Sequence, residues 1–209
     1  LLIGFNGTNV SVGLQRSVDA GVNWVSLTSP GVVNGDRYDL HPGTETDTAD
    51  IWCVQFRLGT FSLHLLIYDD SADTWSTTDI ANSINLNLAD LMASATRLPD
   101  GYVILVASDA GWSTVHNIRC WEIGGAASIV AKTNVITGVQ YIQGMHVMVS
   151  QPDSTLWVAY TRAAGAPGTD TMSVYYRKST DGGLVWGAEQ PYSAAHSGTI
   201  MFQDLFMSE

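Results

Sequence analysis

Positive charge is scarce in this sequence of 209 residues. Lys and Arg together number 9 against 20 Asp and Glu, the formal net charge is −11, and lysine occurs only at Lys132 and Lys178. A nucleic-acid binder needs a basic face to neutralise phosphates, and a peripheral membrane protein needs a basic cluster. The charge balance therefore argues against a nucleic-acid partner and against a membrane-surface protein.

Cysteine and long apolar runs are scarce as well. Cys53 and Cys120 are too few for a disulfide framework or a cysteine metal site, and both lie in apolar runs typical of buried strands. No apolar run approaches the ~18 residues that a transmembrane helix requires. The five histidines, at positions 41, 64, 116, 146 and 196, lack the spacing of metal ligands. We therefore expect no membrane insertion, no metal and no cofactor.

The residues that are abundant favour an all-β protein. Hydrophobic residues make up 45% of the chain, which indicates a packed core rather than disorder. Glu and Lys, which favour helices, are rare, whereas Gly, Thr, Ser, Val and Trp are frequent. The sequence begins without a methionine inside an apolar run, so we expect a fragment or a domain of a longer protein.

A motif of the form Ser-x-Asp-x-Gly-x-x-Trp occurs twice in full, at 17–24 and at 179–186. A degenerate copy at 68–75 retains Asp70 and Trp75, and a fourth turn falls at 124–127 with Val130 in the place of the tryptophan. The four anchor positions 24, 75, 130 and 186 are 51, 55 and 56 residues apart. A period of this regularity predicts repeated structural units.

Each repeat contains four strand-like runs. In the last repeat the runs with apolar–polar alternation are 145–150, 155–161, 172–178 and 184–190. The first two are joined by the turn sequence Gln151-Pro152-Asp153-Ser154, and the preceding repeat has Leu98-Pro99-Asp100-Gly101 at the same place. Four antiparallel strands repeated about every fifty residues predict the blades of a β-propeller.

The repeats predict a single propeller domain, or a propeller fragment, over residues 1–209. The expected blades are about 1–30, 35–80, 89–135 and 143–191; the first blade lacks its first strand, and 199–206 form an extra strand. That strand either completes the first blade and closes a four-bladed ring, which removes open sheet edges, or begins a further blade of a larger, six-bladed propeller.

The repeated motif resembles the Asp-box, or bacterial neuraminidase repeat, and the chain is similar over its length to the sialidase-like β-propeller superfamily. In that family the Asp-box is structural. Its glycine supplies a positive φ, its aspartate accepts backbone N–H bonds across the turn, and its tryptophan covers the hairpin. The resemblance implies such structural roles for Ser17, Asp19, Gly21, Trp24, Asp70, Trp75, Ser179, Asp181, Gly183 and Trp186.

In sialidase-like propellers the ligand site lies on the face formed by the loops after the second and fourth strands of each blade. The resemblance places a candidate ligand face at Arg37, Arg57, Arg162, Asp36, Asp109, Tyr38, Tyr141 and Trp112. Three guanidinium groups can bind a sugar carboxylate, an aspartate can act as acid/base, and aromatic rings can stack on sugars. A sialidase also uses a tyrosine activated by a glutamate. The sequence indicates no such pair, because Glu45 and Glu122 map to the Asp-box face and Glu189 ends an outer strand.

Three functions are compatible with these patterns. The first is a non-catalytic propeller module that binds glycan or protein, as a secreted, cell-surface or phage virion component, for example part of a tail. The second is a sialidase-type exo-glycoside hydrolase whose site is completed by sequence outside this chain. The third is a rigid architectural spacer in an assembly. The sequence leaves the oligomeric state open.

Overall fold

The structure is a computed structural model that describes residues 2–6, 13–17, 19–28, 37–42, 51–57, 62–69, 72–81, 93–108, 115–124, 128–140, 142–150, 153–163, 171–192 and 196–197. Within these residues the strands form four antiparallel sheets, which confirms the all-β prediction. The chain divides into two compact units, residues 1–83 and residues 84–209. The described part contains no helix with the length and apolarity that crossing a membrane requires.

The first unit contains two sheets. The first sheet has the strand order β1(Leu2–Asn6), β2(Gly13–Ser17), β3(Val25–Ser26). The second sheet has the order β4(Arg37–Pro42), β5(Ile51–Arg57), β6(Ser62–Asp69), β7(Thr74–Ala81). The first sheet has three described strands, and the missing first strand of the first repeat stays a prediction. The segment 199–206, predicted to supply it, lies outside the described residues.

Among the described side chains of the first unit, the buried apolar residues belong to strand β6. Leu63, Leu65, Leu66 and Tyr68 are all buried, although they point alternately to the two faces of the sheet. β6 lies between β5 and β7, so both of its edges are paired. A strand that is buried on both faces needs a nearly continuous apolar sequence, and β6 has one.

The second unit contains the third and fourth sheets. In the third sheet the order is β11(Ile129–Ala131), β10(Val115–Ile123), β9(Val103–Ser108), β8(Ala93–Arg97), and β12(Ile136–Gln140) also pairs with β10. In the fourth sheet the order is β13(Ile142–Val149), β14(Leu156–Ala163), β15(Thr171–Ser179), β16(Gln190–Pro191), and β17(His196–Ser197) also pairs with β15.

One apolar cluster joins these two sheets. Ile104 and Ile118 of the third sheet pack in the same cluster as Val147 and Val158 of the fourth. The inner strands are also linked by a hydrogen bond, because the backbone N–H of Val147 donates to Ser94 Oγ at 3.1 Å. The third and fourth sheets therefore form one packed body.

The turns predicted between first and second strands are present in both repeats of this unit. In the third sheet Gly101 has φ +88°, and Asp100 accepts the backbone N–H of Tyr102 at 3.1 Å. In the fourth sheet Asp153 accepts the backbone N–H of Thr155 at 3.0 Å. Short polar side chains thus satisfy backbone donors in each turn, as turn chemistry predicts.

The predicted outer strand 184–190 is wrong, since only Gln190–Pro191 pairs as β16. The preceding residues belong to a turn instead. The backbone N–H groups of Leu184 and Val185 bond to the Asp181 carboxylate, and that of Gly187 bonds to the carbonyl of Lys178. Those donors are therefore unavailable to a sheet ladder until Gln190.

Candidate functional site

Arg162 is the one predicted ligand-face residue whose side chain the structure describes. Arg37 and Tyr38 open β4 and Arg57 ends β5; Arg37 pairs with Phe56, so positions 37 and 57 lie at the same end of the second sheet. Only the backbone of these three is described, and the remaining candidates, Asp36, Asp109, Trp112 and Tyr141, lie outside the described residues. Convergence of the three arginines therefore stays a prediction.

Arg162 is engaged by a carboxylate of its own sheet. Its Nε donates to Glu189 Oε1 at 3.0 Å, and its Nη2 donates to Glu189 Oε2 at 2.6 Å. Both side chains are mostly buried. Two parallel bonds of this kind form the strongest geometry between a guanidinium and a carboxylate. Glu189 therefore occupies the edge of Arg162 that a substrate carboxylate would need.

The same carboxylate also accepts a hydrogen bond from a tyrosine, which corrects the expectation that no Tyr–Glu pair exists. Tyr160 OH donates to Glu189 Oε1 at 2.5 Å. Tyr160 and Arg162 are two residues apart on β14 and so point to one face. Gln190 pairs with Tyr176, which puts Glu189 opposite Arg177 and on the face of Tyr160 and Arg162. The Tyr-x-Arg spacing was a visible signal, but the approach of Glu189 depended on the register of the outer strand.

Burial and mutual contact set the charge states in this cluster. Burial, and then the hydrogen bond to Glu189, raise the pKa of Tyr160, so the phenol stays protonated at neutral pH. Burial also raises the pKa of Glu189, but hydrogen bonds from Arg162 and Tyr160 outweigh it and leave that pKa below its usual value. The hydrogen bond to Glu189 raises the pKa of Arg162. The cluster is therefore an ion pair with a neutral phenol as a third partner.

Aromatic rings complete the cluster on the same face. The guanidinium carbon of Arg162 lies 4.2 Å from the ring centroid of Tyr175, within cation–π distance. The rings of Tyr175 and Tyr160 are stacked with centroids 6.4 Å apart. Arg177 hydrogen-bonds Tyr160, and its charge lowers the pKa of Glu189. Two cations, one carboxylate and two phenols are thus packed together, with Tyr160 buried and the other four side chains partly exposed.

The complete motif at 179–186 forms a tightly bonded turn. Ser179 Oγ donates to Asp181 Oδ1 at 2.6 Å and accepts the N–H of Gly183 at 2.9 Å. Asp181 Oδ1 accepts the N–H groups of Leu184 at 3.1 Å and Val185 at 2.9 Å. Gly183 has φ +86°, a region that glycine adopts without strain. The serine, aspartate and glycine of the motif are thus bonded to one another within this turn.

The first motif, at 17–24, repeats this arrangement. Ser17 Oγ donates to Asp19 at 2.8 Å and accepts the N–H of Gly21 at 2.7 Å, and Gly21 has φ +90°. Asp19 accepts the N–H of Asn23 at 2.8 Å. That bond, with the side-chain amide of Asn23 and the hydroxyl of Ser17, lowers the pKa of Asp19 to about 2. Two distant segments thus adopt one bonding pattern.

The motif tryptophans differ in what their indoles bind. Trp75 Nε1 donates to the carbonyl of Thr28 at 2.6 Å, and Trp186 Nε1 donates to the carbonyl of Thr133 at 3.1 Å. In both cases the acceptor belongs to the preceding sheet. Trp24 instead donates to Gly21 of its own turn at 3.0 Å and is 41% exposed. The prediction that the tryptophan covers its own hairpin holds for Trp24 and misses the bond between sheets.

In the degenerate motif Asp73 makes the hydrogen bonds that connect two sheets, a role that the sequence analysis missed. It accepts the hydroxyl of Tyr68 at 2.7 Å and the N–H and hydroxyl of Thr28 at 3.1 and 2.8 Å. The hydrogen bond from Tyr68 is the main cause that lowers the pKa of Asp73. Asp70, the predicted central aspartate, lies outside the described residues. Asp73 therefore joins the second sheet to the first.

A second polar chain lies in the second sheet. Ser62 Oγ is 2.6 Å from His64 Nε2, and His64 Nδ1 is 2.7 Å from Asp79 Oδ1, although that nitrogen is not aligned for a hydrogen bond. A β-bulge beside Leu63 brings Asp79 opposite His64. The order of contacts is that of an acyl-transfer triad, but Ser62 is only 3% exposed. In this structure the three side chains link neighbouring strands, and Ser62 is not accessible as a nucleophile.

No protein-family model matches the sequence, and no curated protein matches it. Solved structures do match. An α-L-arabinofuranosidase of Fusarium graminearum with an iminosugar inhibitor is 14% identical with a TM-score of 0.57, over 91% of this chain and 62% of that chain. An α-L-arabinanase of Penicillium chrysogenum with arabinobiose is 16% identical with a TM-score of 0.57, over 87% and 58%. An intramolecular trans-sialidase of Ruminococcus gnavus with oseltamivir carboxylate is 15% identical with a TM-score of 0.52, over 90% and 42%.

These similarities concern the fold. The compared proteins are carbohydrate-active β-propellers, and the likeness extends over most of this chain. The chain itself spans between 42% and 62% of the length of these structures. At such identities the shared architecture carries no assignment of activity, because function resides in sites that differ within one fold.

Proposed function

We propose that this chain is a β-propeller module, built from Asp-box repeats, that binds glycans without hydrolysing them. The similar folds belong to an arabinofuranosidase, an arabinanase in complex with arabinobiose and a trans-sialidase in complex with oseltamivir carboxylate. These proteins share action on carbohydrates. A protein partner is the other ligand class for such a module.

The pairing of Arg162 with Glu189, together with the burial of Tyr160, is the observation that supports the absence of hydrolysis in this proposal. A sialidase needs a guanidinium free for the substrate carboxylate and a tyrosine that the substrate can reach. In this chain the Arg162 fork is bonded twice to Glu189, and Tyr160 is 1% exposed with a raised pKa. A buried, neutral phenol is a poor nucleophile.

The architecture and location belong to the same proposal. The four sheets are consecutive blades, with the ring either closed by 199–206 or extended into a larger, six-bladed propeller. Low charge and abundant Thr, Ser and Gly suit a secreted, cell-surface or virion protein.

The test is a glycan array combined with hydrolysis assays on the purified chain. We expect binding to at least one glycan class and no turnover of sialosides or aryl glycosides, including aryl arabinofuranosides. Turnover that is lost on changing Arg37 or Arg57 would overturn the proposal. An array and assays that are both negative would favour the architectural spacer.

A sialidase-type exo-glycoside hydrolase is the second candidate, supported by the contact of Tyr160, Glu189 and Arg162 in one cluster. The discriminating variant is Tyr160→Phe, which removes the hydroxyl and keeps the ring. If the chain hydrolyses an aryl sialoside and Tyr160→Phe lowers kcat at least a hundredfold while the fold is retained, the hydrolase is correct. Equal rates in both would exclude Tyr160 as the nucleophile.

A further inference from the structure

The Arg162 cluster lies at one end of the fourth sheet rather than in the middle of a sheet face. Arg162 is the last residue but one of β14, where the chain leaves the strand for the loop toward β15. The side chains of Arg162 and Glu189 are 24% and 19% exposed, whereas Tyr160, two residues further inside the strand, is 1% exposed. Solvent therefore reaches the guanidinium and the carboxylate, and the phenol closes the inner side.

Three hydrogen-bond donors converge on the carboxylate of Glu189. Two nitrogens of Arg162 bond it in parallel, one to each oxygen, and the hydroxyl of Tyr160 adds a third bond to Oε1. A planar fork of two N–H donors with a further O–H donor matches a carboxylate in shape as well as in charge. Considered without Glu189, these donors are a binding site for a carboxylate group.

The charge around this site also favours an anion. Arg177 hydrogen-bonds Tyr160, and its Nε is buried without a hydrogen-bond partner among the described residues. The cluster therefore has two guanidinium groups and one carboxylate. Partly buried cations are costly when they are left unpaired. If Glu189 were removed, both positive charges would lack a counter-charge within the cluster, and a carboxylate from solution would be attracted to its place.

We infer that Glu189 is the built-in occupant of a carboxylate site, and that it makes this end of the module select uncharged glycans over glycans that bear carboxylates. The inference rests on the proposed function and adds the ligand class and the residue that sets it. Glu189 directly precedes β16, which pairs with β15, so it is held beside Arg162 at a high effective concentration. A sugar carboxylate has to displace it, whereas an uncharged sugar requires no such exchange.

The carboxylate site is tested on the variant Glu189→Ala, with acetate as the probe and chloride at equal ionic strength as the reference, both at pH 7. We expect about 0.1 M acetate to raise the Tm of this variant by about 2–4 °C more than chloride does, and to leave the wild type unchanged. Adding Arg162→Met to Glu189→Ala should abolish the acetate effect. Glu122→Ala, which removes the partner of Lys132, is the matched control and should respond less, because an ammonium group lacks the planar fork.

If acetate and chloride act alike on Glu189→Ala, or if the acetate effect survives Arg162→Met, the carboxylate site is wrong. Should Glu189→Ala be unfolded in chloride, the readout becomes the fraction of the chain that refolds on dilution from urea. Acetate must then raise that fraction where chloride does not, and equal fractions in the two salts contradict the site as well.

The selectivity is measured on a glycan array that carries uncharged glycans beside their sialylated or glucuronate-bearing forms. We expect the wild-type chain to bind an uncharged glycan at least about tenfold more tightly than its carboxylate-bearing form. Glu189→Ala should bind the carboxylate-bearing form at least about tenfold more tightly than the wild type does. Glu189→Gln, which keeps the shape and removes the charge, should show a smaller gain.

The outcomes separate this inference from the proposed function. If the wild-type chain binds glycans but does not distinguish the two forms, or if Glu189→Ala gains nothing, then Glu189 does not set the ligand class and the glycan-binding function stands. If the wild-type chain binds no glycan on the array, the proposed function fails and the selectivity fails with it. The acetate experiment decides the carboxylate site in either case.

Discussion

At the scale of single residues, short acidic side chains organise the turns. Asp19, Asp153 and Asp181 each accept a backbone N–H two to four residues further along the chain. A carboxylate must be on a short arm to reach its own backbone in this way, which favours Asp over Glu at these positions. The sequence has 16 Asp and 4 Glu, and the described turns account for part of that excess.

These bonds predict acid sensitivity. Hydrogen bonds from the backbone and from neighbouring hydroxyls lower the pKa values of Asp19, Asp153 and Asp181 below 3.8, the usual aspartate value. A lowered pKa means that the unfolded chain takes up protons first, so stability is complete above pH 3.8 and is lost as pH falls toward 2. In about 0.5 M NaCl, which screens the net charge, urea unfolding midpoints should be flat above about pH 5 and fall steeply below pH 4.

The variant Asp181→Asn checks the source of that effect. It cannot titrate, so its unfolding midpoint should depend less on pH between 4 and 2 than that of the wild type. It should also be less stable at pH 7, because a neutral amide is a weaker acceptor for the N–H groups of Leu184 and Val185. Identical pH slopes in the two proteins would contradict this reading of the turn.

Glycine 183 permits a second residue-level test. Its φ is +86°, and an added Cβ would lie 3.3 Å from Cys120 Sγ. Gly182 has φ +68° but open space around its Cβ position, so it is a control for backbone strain alone. We expect Gly182→Ala to lower the free energy of unfolding by about 1 kcal/mol and Gly183→Ala by about 2–3 kcal/mol. Equal losses would mean that the contact with Cys120 relaxes freely.

At the scale of elements, the motif tryptophans join successive sheets. Both acceptor carbonyls occupy equivalent places: Thr28 lies two residues beyond β3, and Thr133 lies two residues beyond β11. An indole N–H that reaches the end of the neighbouring outer strand fixes one sheet against the previous one. The motif turn is therefore a connector between sheets as well as a hairpin cap.

Trp186 and Trp24 provide a matched pair for this role. Trp186 is 9% exposed and donates to the preceding sheet, whereas Trp24 donates within its own turn. Replacement by phenylalanine removes the indole N–H and keeps an aromatic ring. We expect Trp186→Phe to cost about 1–3 kcal/mol in urea unfolding and Trp24→Phe less than about 0.5 kcal/mol. A larger loss for Trp24 would show that its bond within the turn is the important one.

Local patterns predicted more of these elements than long-range contacts did. The strands, the turns around Asp100 and Asp153 and the bonding of the motif serine, aspartate and glycine follow from residues close in sequence. The outer strand 184–190 was wrongly predicted. Apolar–polar alternation carries no information on the hydrogen bonds from the N–H groups of Leu184 and Val185 to Asp181, which remove these donors from strand pairing. The contact of Tyr160 with Glu189 spans 29 residues and depends on how the outer strand pairs with β15, so no local pattern contains it.

At the scale of the whole molecule, self-repulsion is the consequence of a net charge of −11. Replacing acceptor carboxylates in the turns by neutral amides weakens their hydrogen bonds, so the charge contributes to the turns. Only 9 cationic residues oppose it, and Arg162 and Lys132 are already committed to Glu189 and Glu122. Dissolved salt should therefore stabilise this chain by screening.

A thermal scan tests this at two pH values. At pH 7, raising NaCl from about 0.01 M to about 0.5 M should increase Tm by about 2–4 °C. At the isoelectric point, near pH 4.6, the same addition should have little effect because the net charge is close to zero. A decrease in Tm with salt at pH 7 would mean that attractive ion pairs outweigh the repulsion.

The short outer strands have a further consequence for behaviour at high concentration. β3 and β16 have two residues each and β11 has three, so these outer strands themselves offer little backbone on which a foreign strand can assemble. β7 is the longest of the described outer strands, with eight residues. Polar side chains such as Asp79 disfavour pairing of this strand with a foreign one. A variant meant to remain soluble during storage should preserve the polar surface of β7 before any other.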